Sequence, residues 1–114
     1  MIKYFKKNKL SYLTNKKPKK YIPHGFECEI FSFSLLKNAF SKAKKLYEKE
    51  HVTPWIYKNN FKKNNFIKIF DKDYSKLRIT LDYKSDYYFF LKNFPILKKI
   101  SLSKKPEDLI KKLI

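Results

Sequence analysis

The chain has 114 residues and a formal net charge of +18, and 43% of its residues are hydrophobic and 18% aromatic. This length suits one domain with a single core, and the longest apolar run, residues 87–91, is far shorter than the roughly 20 residues of a membrane span. The single cysteine excludes an intramolecular disulfide and a multi-cysteine metal site, and the single glycine excludes a glycine-rich phosphate loop, within these residues. We expect a cytoplasmic protein with no membrane partner.

The first half of the chain predicts one strand and one helix. Residues 1–11 are rich in lysine and are expected to be poorly ordered. Residues 26–33 alternate apolar and polar side chains, which is typical of a half-buried strand. Ser34 is a candidate N-cap for a helix over residues 34–47. Apolar side chains recur there at spacings of three and four, at Leu36, Ala39, Phe40, Ala43 and Tyr47.

The second half predicts two more strands and three helices. Pro54 fits the first turn of a short helix, and residues 66–70 and 77–81 alternate as strands do. A helix begins at residue 85 or 86 and is expected to end at Pro95. Its inward residues are predicted to be Tyr87, Phe90, Leu91 and Phe94. Another helix begins at Pro106, so the order of elements indicates an α/β domain over residues 1–114 with three to four strands.

The positive charge has two interpretations. A basic surface attracts polyanions, which would indicate a nucleic-acid partner. Against this, Arg78 is the only arginine among the 28 basic residues, and the lysines lie along the whole chain. Asparagine, isoleucine, phenylalanine and tyrosine are also abundant, and all share A- and T-rich codons with lysine. We therefore attribute most of the charge to genomic composition and do not expect a nucleic-acid partner.

Arg78 and Asp82 stand out at the end of a predicted strand. Residues 78, 80 and 82 share one face of that strand, and ligands gather at the carboxyl ends of strands in open α/β sheets. Asp82 can hold a magnesium ion there, with Arg78 beside a phosphate. Two alternatives remain open, a carboxylate that caps the following turn and a plain ion pair with Arg78.

Other candidate residues are two glutamates and a histidine. Glu27 and Glu29 lie two residues apart on one predicted strand, where carboxylates can accept sugar hydroxyls, bind a metal or act as acid and base. The alternative is a solvated strand face. His51 follows two glutamates and is a base or a structural hydrogen-bonding group. The sequence contains no identifiable nucleophile with a paired base, so no catalytic residue is assigned.

Three segments, in order, resemble one family of enzymes. They are YIPHGFECEIFSF at residues 21–33, YEKEHVTPWIY at residues 47–57 and LRITLD at residues 77–82. Together they resemble the second half of the cytidylyltransferases typified by spore coat polysaccharide biosynthesis protein F, relatives of the CMP-sialic-acid and CMP-Kdo synthetases. The resemblance extends over roughly residues 12–114.

The resemblance implies a Rossmann-like nucleotidyltransferase sheet and a reaction that joins CTP to a sugar or sugar acid and releases pyrophosphate. It implies that Asp82 binds Mg²⁺ and that Arg78 contacts phosphate or supports the strand. It places Glu29 near the sugar, with Glu27 where the family usually has aspartate. It places His51 and Thr53 in a segment that shapes the acceptor pocket or a contact between copies in a homo-oligomer.

These residues also lack two segments of the family. The family's N-terminal loop, Gln-Ala-Arg followed by Arg-Leu-Pro and Lys, and its Ser-Asp-x-Pro-Leu segment have no counterpart among these residues. The resemblance therefore implies a partial fold that lacks the nucleotide-binding half. It implies part of an enzyme of surface polysaccharide biosynthesis, and we expect these residues to be inactive alone. The alternatives are a small basic nucleic-acid-binding module and a non-functional remnant.

Overall fold

The computed structural model describes residues 1–16, 20–62 and 65–113. Their contacts group the chain into two compact units. The first comprises Met1–Lys20 and Glu27–Ile69, and the second comprises Tyr21–Phe26 and Phe70–Ile114. Over the described ranges, no helix has both the length and the apolar character that a membrane span requires.

The first unit combines a two-stranded sheet with four short helices. Strand β1 (Tyr12–Thr14) pairs antiparallel with strand β2 (Glu29–Phe31), and Leu13 lies opposite Ile30. The helices are α1 (Ile2–Lys7), α2 (Phe33–Lys42), α3 (Leu46–Glu50) and α4 (Pro54–Asn60). As predicted, Pro54 occupies the first turn of its helix, where its missing N–H costs no hydrogen bond.

Helix α2 packs one narrow face into the core of the first unit. That core contains Tyr12, Leu35, Ala39 and Ile56. The predicted stripe was wrong at Phe40, which is 89% exposed, because it lies about 100° around the helix from Ala39. It was also wrong at Tyr47, because α2 ends at Lys42 and Tyr47 is an exposed residue of α3. The predicted cap was also wrong, since the Leu35 amide donates to Ser32 Oγ at 3.2 Å.

The second unit is built around two helices, α5 (Lys84–Leu102) and α6 (Pro106–Ile110), followed by a 3₁₀ turn at Lys111–Leu113. Its core is a cluster of five buried side chains, Ile22, Phe70, Tyr74, Ile100 and Ile110. The α6 start at Pro106 was predicted correctly. Two carboxylates, Glu107 and Asp108, follow in its first turn, where the positive end of the helix dipole stabilises their negative charge.

Helix α5 differs from its prediction in length and in orientation. It continues through Pro95 to Leu102. Proline inside a helix costs about 3 kcal/mol, but Ile96, Leu97 and Ile100 beyond it pack against the core and offset that cost. The predicted inward residues Tyr87, Leu91 and Phe94 are all more than half exposed, so that prediction was wrong.

The predicted strands at residues 66–70 and 77–81 are not formed as ladders. Each contributes one isolated parallel bridge, Thr14 with Phe66 in the first unit and His24 with Arg78 in the second. Among the described residues only β1 and β2 form a sheet, so the mixed α/β class is confirmed and the number of strands is lower than predicted.

A close backbone approach holds the second bridge. The Ile79 amide donates to the His24 carbonyl at 2.7 Å, and the His24 amide donates to the Leu77 carbonyl at 2.8 Å. Gly25 follows with φ +102°, and a Cβ there would lie 2.0 Å from the Ile79 carbonyl oxygen. This position therefore requires glycine, and it fixes the segment that carries Arg78.

Candidate functional site

In the second unit, the predicted site residues Arg78 and Asp82 lie together with a third residue, Asp86. Arg78 Nη2 lies 2.5 Å from Asp82 Oδ2, and Arg78 Nε lies 3.1 Å from Asp86 Oδ1. Arg78 Nη2 also donates to Asp86 Oδ2 at 3.2 Å. One guanidinium therefore serves two carboxylates, a geometry suited to its fixed fork of donors.

Asp86 is the buried member of this cluster. Its residue is 8% exposed, and its Oδ2 accepts the amides of Asp82 at 2.9 Å and Tyr83 at 3.0 Å. Hydrogen bonds from Arg78, and then from these amides, lower the pKa of Asp86 to about 2. Sequence reasoning named Asp86 only as a helix start. The signal it missed was an aspartate at the third helical position, which reaches back to the preceding amides.

Asp82 is the accessible member. Its side chain is 60% exposed, and that of its ion-pair partner Arg78 is 36% exposed. The pKa of Arg78 is raised, first by its hydrogen bond to Asp86 and also by the charges of both carboxylates. The Tyr83 ring lies 5.0 Å from Arg78 Cζ, within the range of a cation–π contact. The cluster thus presents one carboxylate and one guanidinium edge to solvent.

The donor set fits one kind of magnesium site. No group of three or more His, Cys, Asp or Glu side chains that could hold a metal occurs in the parts of the chain that the structure describes. Mg²⁺ is commonly bound by one or two carboxylates, with substrate phosphates and water completing its coordination. Asp82 suits that single-carboxylate role, whereas Asp86 is committed to Arg78 and two amides.

A second cluster lies in the first unit, around Glu29 on β2. The Tyr12 hydroxyl donates to Glu29 Oε1, and Thr53 Oγ1 donates to Glu29 Oε2 at 2.8 Å. Tyr12 is fully buried, and burial, followed by its bond to Glu29, raises the pKa of its phenol. Thr53 immediately precedes α4, so Glu29 ties the sheet to the start of that helix.

The remaining predicted residues of the first unit, Glu27 and His51, contact other side chains. Lys20 Nζ lies 2.5 Å from Glu27 Oε1 in an ion pair. His51 is exposed, with its ring 4.7 Å from the Tyr47 ring. Glu29 and Thr53 are therefore brought together, while Glu27 pairs with Lys20 and His51 lies against the Tyr47 ring.

Comparison with known proteins gives two matches, and no family model matches the chain. An uncharacterised protein of Methanocaldococcus jannaschii is 34% identical over 96 residues, which cover 79% of this chain and 36% of that protein. A cytidylyltransferase of known structure, from Leptospira borgpetersenii serovar Hardjo-bovis, has a TM-score of 0.76 and 31% identity. The match covers 97% of this chain and 46% of the Leptospira chain.

The chain thus spans less than half the length of either protein that it matches. At 31% identity the similarity to the Leptospira protein extends beyond shared architecture, and it includes nearly every residue of this chain. The predicted likeness to cytidylyltransferases is confirmed at the level of the general class.

Proposed function

We propose that this chain forms part of a cytidylyltransferase, which transfers a cytidylyl group from CTP to a sugar or sugar acid and releases pyrophosphate. The observation that carries the proposal is the structural similarity to the Leptospira cytidylyltransferase over 97% of this chain. The Arg78–Asp82–Asp86 cluster supports it, because phosphoryl chemistry depends on positioned charges rather than on a protein nucleophile.

We further propose the subfamily typified by spore coat polysaccharide biosynthesis protein F, and a role in making nucleotide-activated sugars for surface polysaccharides. The support is the order of the three sequence segments at residues 21–33, 47–57 and 77–82. In this proposal the chain is the second part of a Rossmann-like fold, and β1 and β2 are two of its strands.

Within the second unit, Asp82 is the proposed Mg²⁺ ligand. When bound, Mg²⁺ neutralises phosphate charge during attack at the α-phosphorus. Asp86 holds Arg78 through two of its nitrogens, and Arg78 in turn holds the Asp82 carboxylate in place. Because Arg78 remains 36% exposed, its guanidinium can also donate a hydrogen bond to a phosphate oxygen.

Within the first unit, Glu29 and Thr53 are the proposed sugar-side residues. Glu29 already accepts two hydroxyl hydrogen bonds, a pattern that a sugar hydroxyl would extend. Glu27 and His51 are proposed as outer members of the acceptor site or of a contact between copies of the chain. The Tyr12–Glu29–Thr53 bonds fix the start of α4 whether or not a sugar is bound.

The proposed enzyme needs residues that these 114 do not contain. The Gln-Ala-Arg loop and the Ser-Asp-x-Pro-Leu segment of the resembled family are absent from this sequence. We therefore propose that the CTP-binding loop lies outside this sequence and that the 114 residues alone do not transfer nucleotides.

The test is pyrophosphate release from CTP and Mg²⁺ with a panel of sugars and sugar acids. The chain is assayed alone and together with a complementing polypeptide, defined as the part of the Leptospira cytidylyltransferase without counterpart here. We expect turnover only in the mixture. Asp82→Asn should lower it at least 100-fold, while Asp108→Asn, another exposed ion-paired aspartate, should leave it within twofold. Turnover by the chain alone, or full activity of Asp82→Asn, would contradict the proposal.

A further inference from the structure

The largest unexplained feature of the second unit is an apolar surface around the first half of α5. Six large side chains there are each at least 52% exposed. They are Leu81, Tyr83, Tyr87, Tyr88, Leu91 and Phe94, and we name this surface the α5 face. Contiguous apolar surfaces of this kind mark interaction sites on soluble proteins.

The geometry of α5 shows that this surface is separate from the core. Ile96, Leu97 and Ile100, in the second half of the helix, pack against the core cluster. Tyr87, Leu91 and Phe94 recur at spacings of four and three, so they form one stripe along the exposed side. The helix is therefore apolar on two faces, of which the core of the second unit covers only one.

We propose that the α5 face binds the remainder of a cytidylyltransferase fold, as a polypeptide surface with an apolar centre and an acidic rim. This inference rests on the proposed function and adds to it the surface through which the chain is completed. Its first support is length, because more than half of the Leptospira chain has no counterpart in these residues. A fold reduced to less than half leaves exposed those side chains that the rest would cover.

The second support is charge. Lys84, Lys92 and Lys98 are exposed on α5, and the only acidic residue of that helix, Asp86, is buried against Arg78. A second copy docked through the same face would place lysines near lysines, since a two-fold interface pairs a surface with itself. An acidic rim on the occupant complements these lysines.

The third support is position. The Tyr83 ring lies 5.0 Å from Arg78 Cζ, and Arg78 Nη2 lies 2.5 Å from Asp82 Oδ2, so the accessible carboxylate of the candidate site adjoins the Tyr83 end of the α5 face. An occupant of the α5 face therefore adjoins Asp82 and can bring further ligand-binding groups to it. No cluster of three metal-ligating side chains is present among residues 1–16, 20–62 and 65–113 to complete that site from within.

Maleimide labelling tests the proposal on the full chain without disturbing its fold. Leu91→Cys is placed in a Cys28→Ser background, because Cys28 is free and exposed. The matched control is Phe40→Cys, on a helix of the first unit and 89% exposed. With the complementing Leptospira polypeptide as the probe, we expect labelling to slow at least tenfold at position 91 and less than twofold at position 40.

A second pair of variants tests the affinity. The double substitution Leu91→Lys, Phe94→Lys should weaken binding of the probe at least tenfold by sedimentation, and Phe40→Lys should change it less than twofold. Equal effects at both sites, or no binding by the unsubstituted chain, would overturn the proposal. Labelling at position 91 that slows as the concentration of the chain is raised, without the probe, would also overturn the proposal, because it would show that a second copy occupies the face.

The readouts separate this proposal from the proposed function. A complex that protects position 91 but releases no pyrophosphate supports the docking surface and counts against cytidylyl transfer. Turnover that survives Leu91→Lys, Phe94→Lys unchanged supports the enzyme and overturns the docking surface. If the lysine variants lose their helical circular dichroism when isolated, the labelling result alone decides.

Discussion

The two units each contain a carboxylate cluster, and the clusters differ in what satisfies the charge. In the first unit, Glu29 accepts hydrogen bonds from two neutral hydroxyls, those of Tyr12 and Thr53. In the second unit, Asp82 and Asp86 share the cation of Arg78. Glu29 is partly buried behind its donors, whereas the Asp82 side chain is 60% exposed.

This difference separates a carboxylate that also ties two elements together from one that is open to solvent. Tyr12 lies on β1 and Thr53 immediately precedes α4. Loss of their hydrogen bonds to Glu29 would therefore loosen the attachment of both elements to β2. Arg78 can turn one edge towards a phosphate, since Asp86 holds it through Nε and Nη2. The second cluster is therefore the one built to exchange partners.

The largest expected loss of stability comes from Gly25→Ala, which disrupts the segment that carries the second cluster and leaves the first cluster unchanged. Gly25→Ala would place a methyl group 2.0 Å from the Ile79 carbonyl and strain a residue with φ +102°. We expect a loss of about 3 kcal/mol of unfolding free energy, the upper range for backbone strain. Denaturant titration measures it, and a loss below about 0.5 kcal/mol would show that the loop relaxes at little cost.

Asp86→Asn should be the next most damaging change. It removes the charge opposite Arg78, and its amide nitrogen cannot accept the backbone donors of Asp82 and Tyr83. We expect a larger fall in melting temperature than for Asp82→Asn, because Asp86 is the buried member. Equal falls for both variants would show that burial does not distinguish the two aspartates.

The same residue predicts an acid dependence. Because the pKa of Asp86 is about 2 in the folded chain, against a usual value of 3.8, the unfolded chain takes up the proton first as the pH falls. The stability due to Asp86 is therefore complete above about pH 4 and is lost as the pH falls towards 2. Melting curves of wild type and Asp86→Asn should converge over that interval, and a constant gap would contradict the assignment.

Tyr12→Phe tests the first cluster alone. It deletes one hydroxyl donor to Glu29 and leaves the ring in the core with Leu35 and Ile56. Loss of a donor to a partly buried carboxylate costs about 1–2 kcal/mol. Denaturant titration should show that loss, and the pH dependence attributed to Asp86 should be unchanged. A shift in that pH dependence would mean that the clusters are coupled.

Local features of the fold were predictable where one residue determines the backbone. Pro54 and Pro106 mark helix starts because proline fits the first turn, and alternation identified the strand at Glu29–Phe31. Position in the tertiary fold decided the rest. Helix α5 has apolar residues all around its first half, so periodicity could not indicate which side is buried.

The candidate sites follow the same division. Arg78 and Asp82 are four residues apart, and their proximity was predictable, including the ion pair that was one of the alternatives. Glu29 meets Thr53 across 24 residues and Tyr12 across 17, and those contacts depend on how the elements pack. The role of Asp86 at the start of α5 was predictable from the preference for aspartate in the first turn of a helix. Its hydrogen bond with Arg78 depends on the position of the 77–81 segment.

The smallest expected effect on stability is the most informative about function. Asp82→Asn removes an ion pair whose carboxylate is 60% exposed, so the unfolding free energy should change by less than about 1 kcal/mol. If Asp82 serves the proposed Mg²⁺ site, the same substitution should abolish pyrophosphate release by the complemented chain. A residue that contributes little to folding but is required for turnover is what the exposed half of the second cluster predicts. A large loss of stability with unchanged turnover would instead assign Asp82 to the fold.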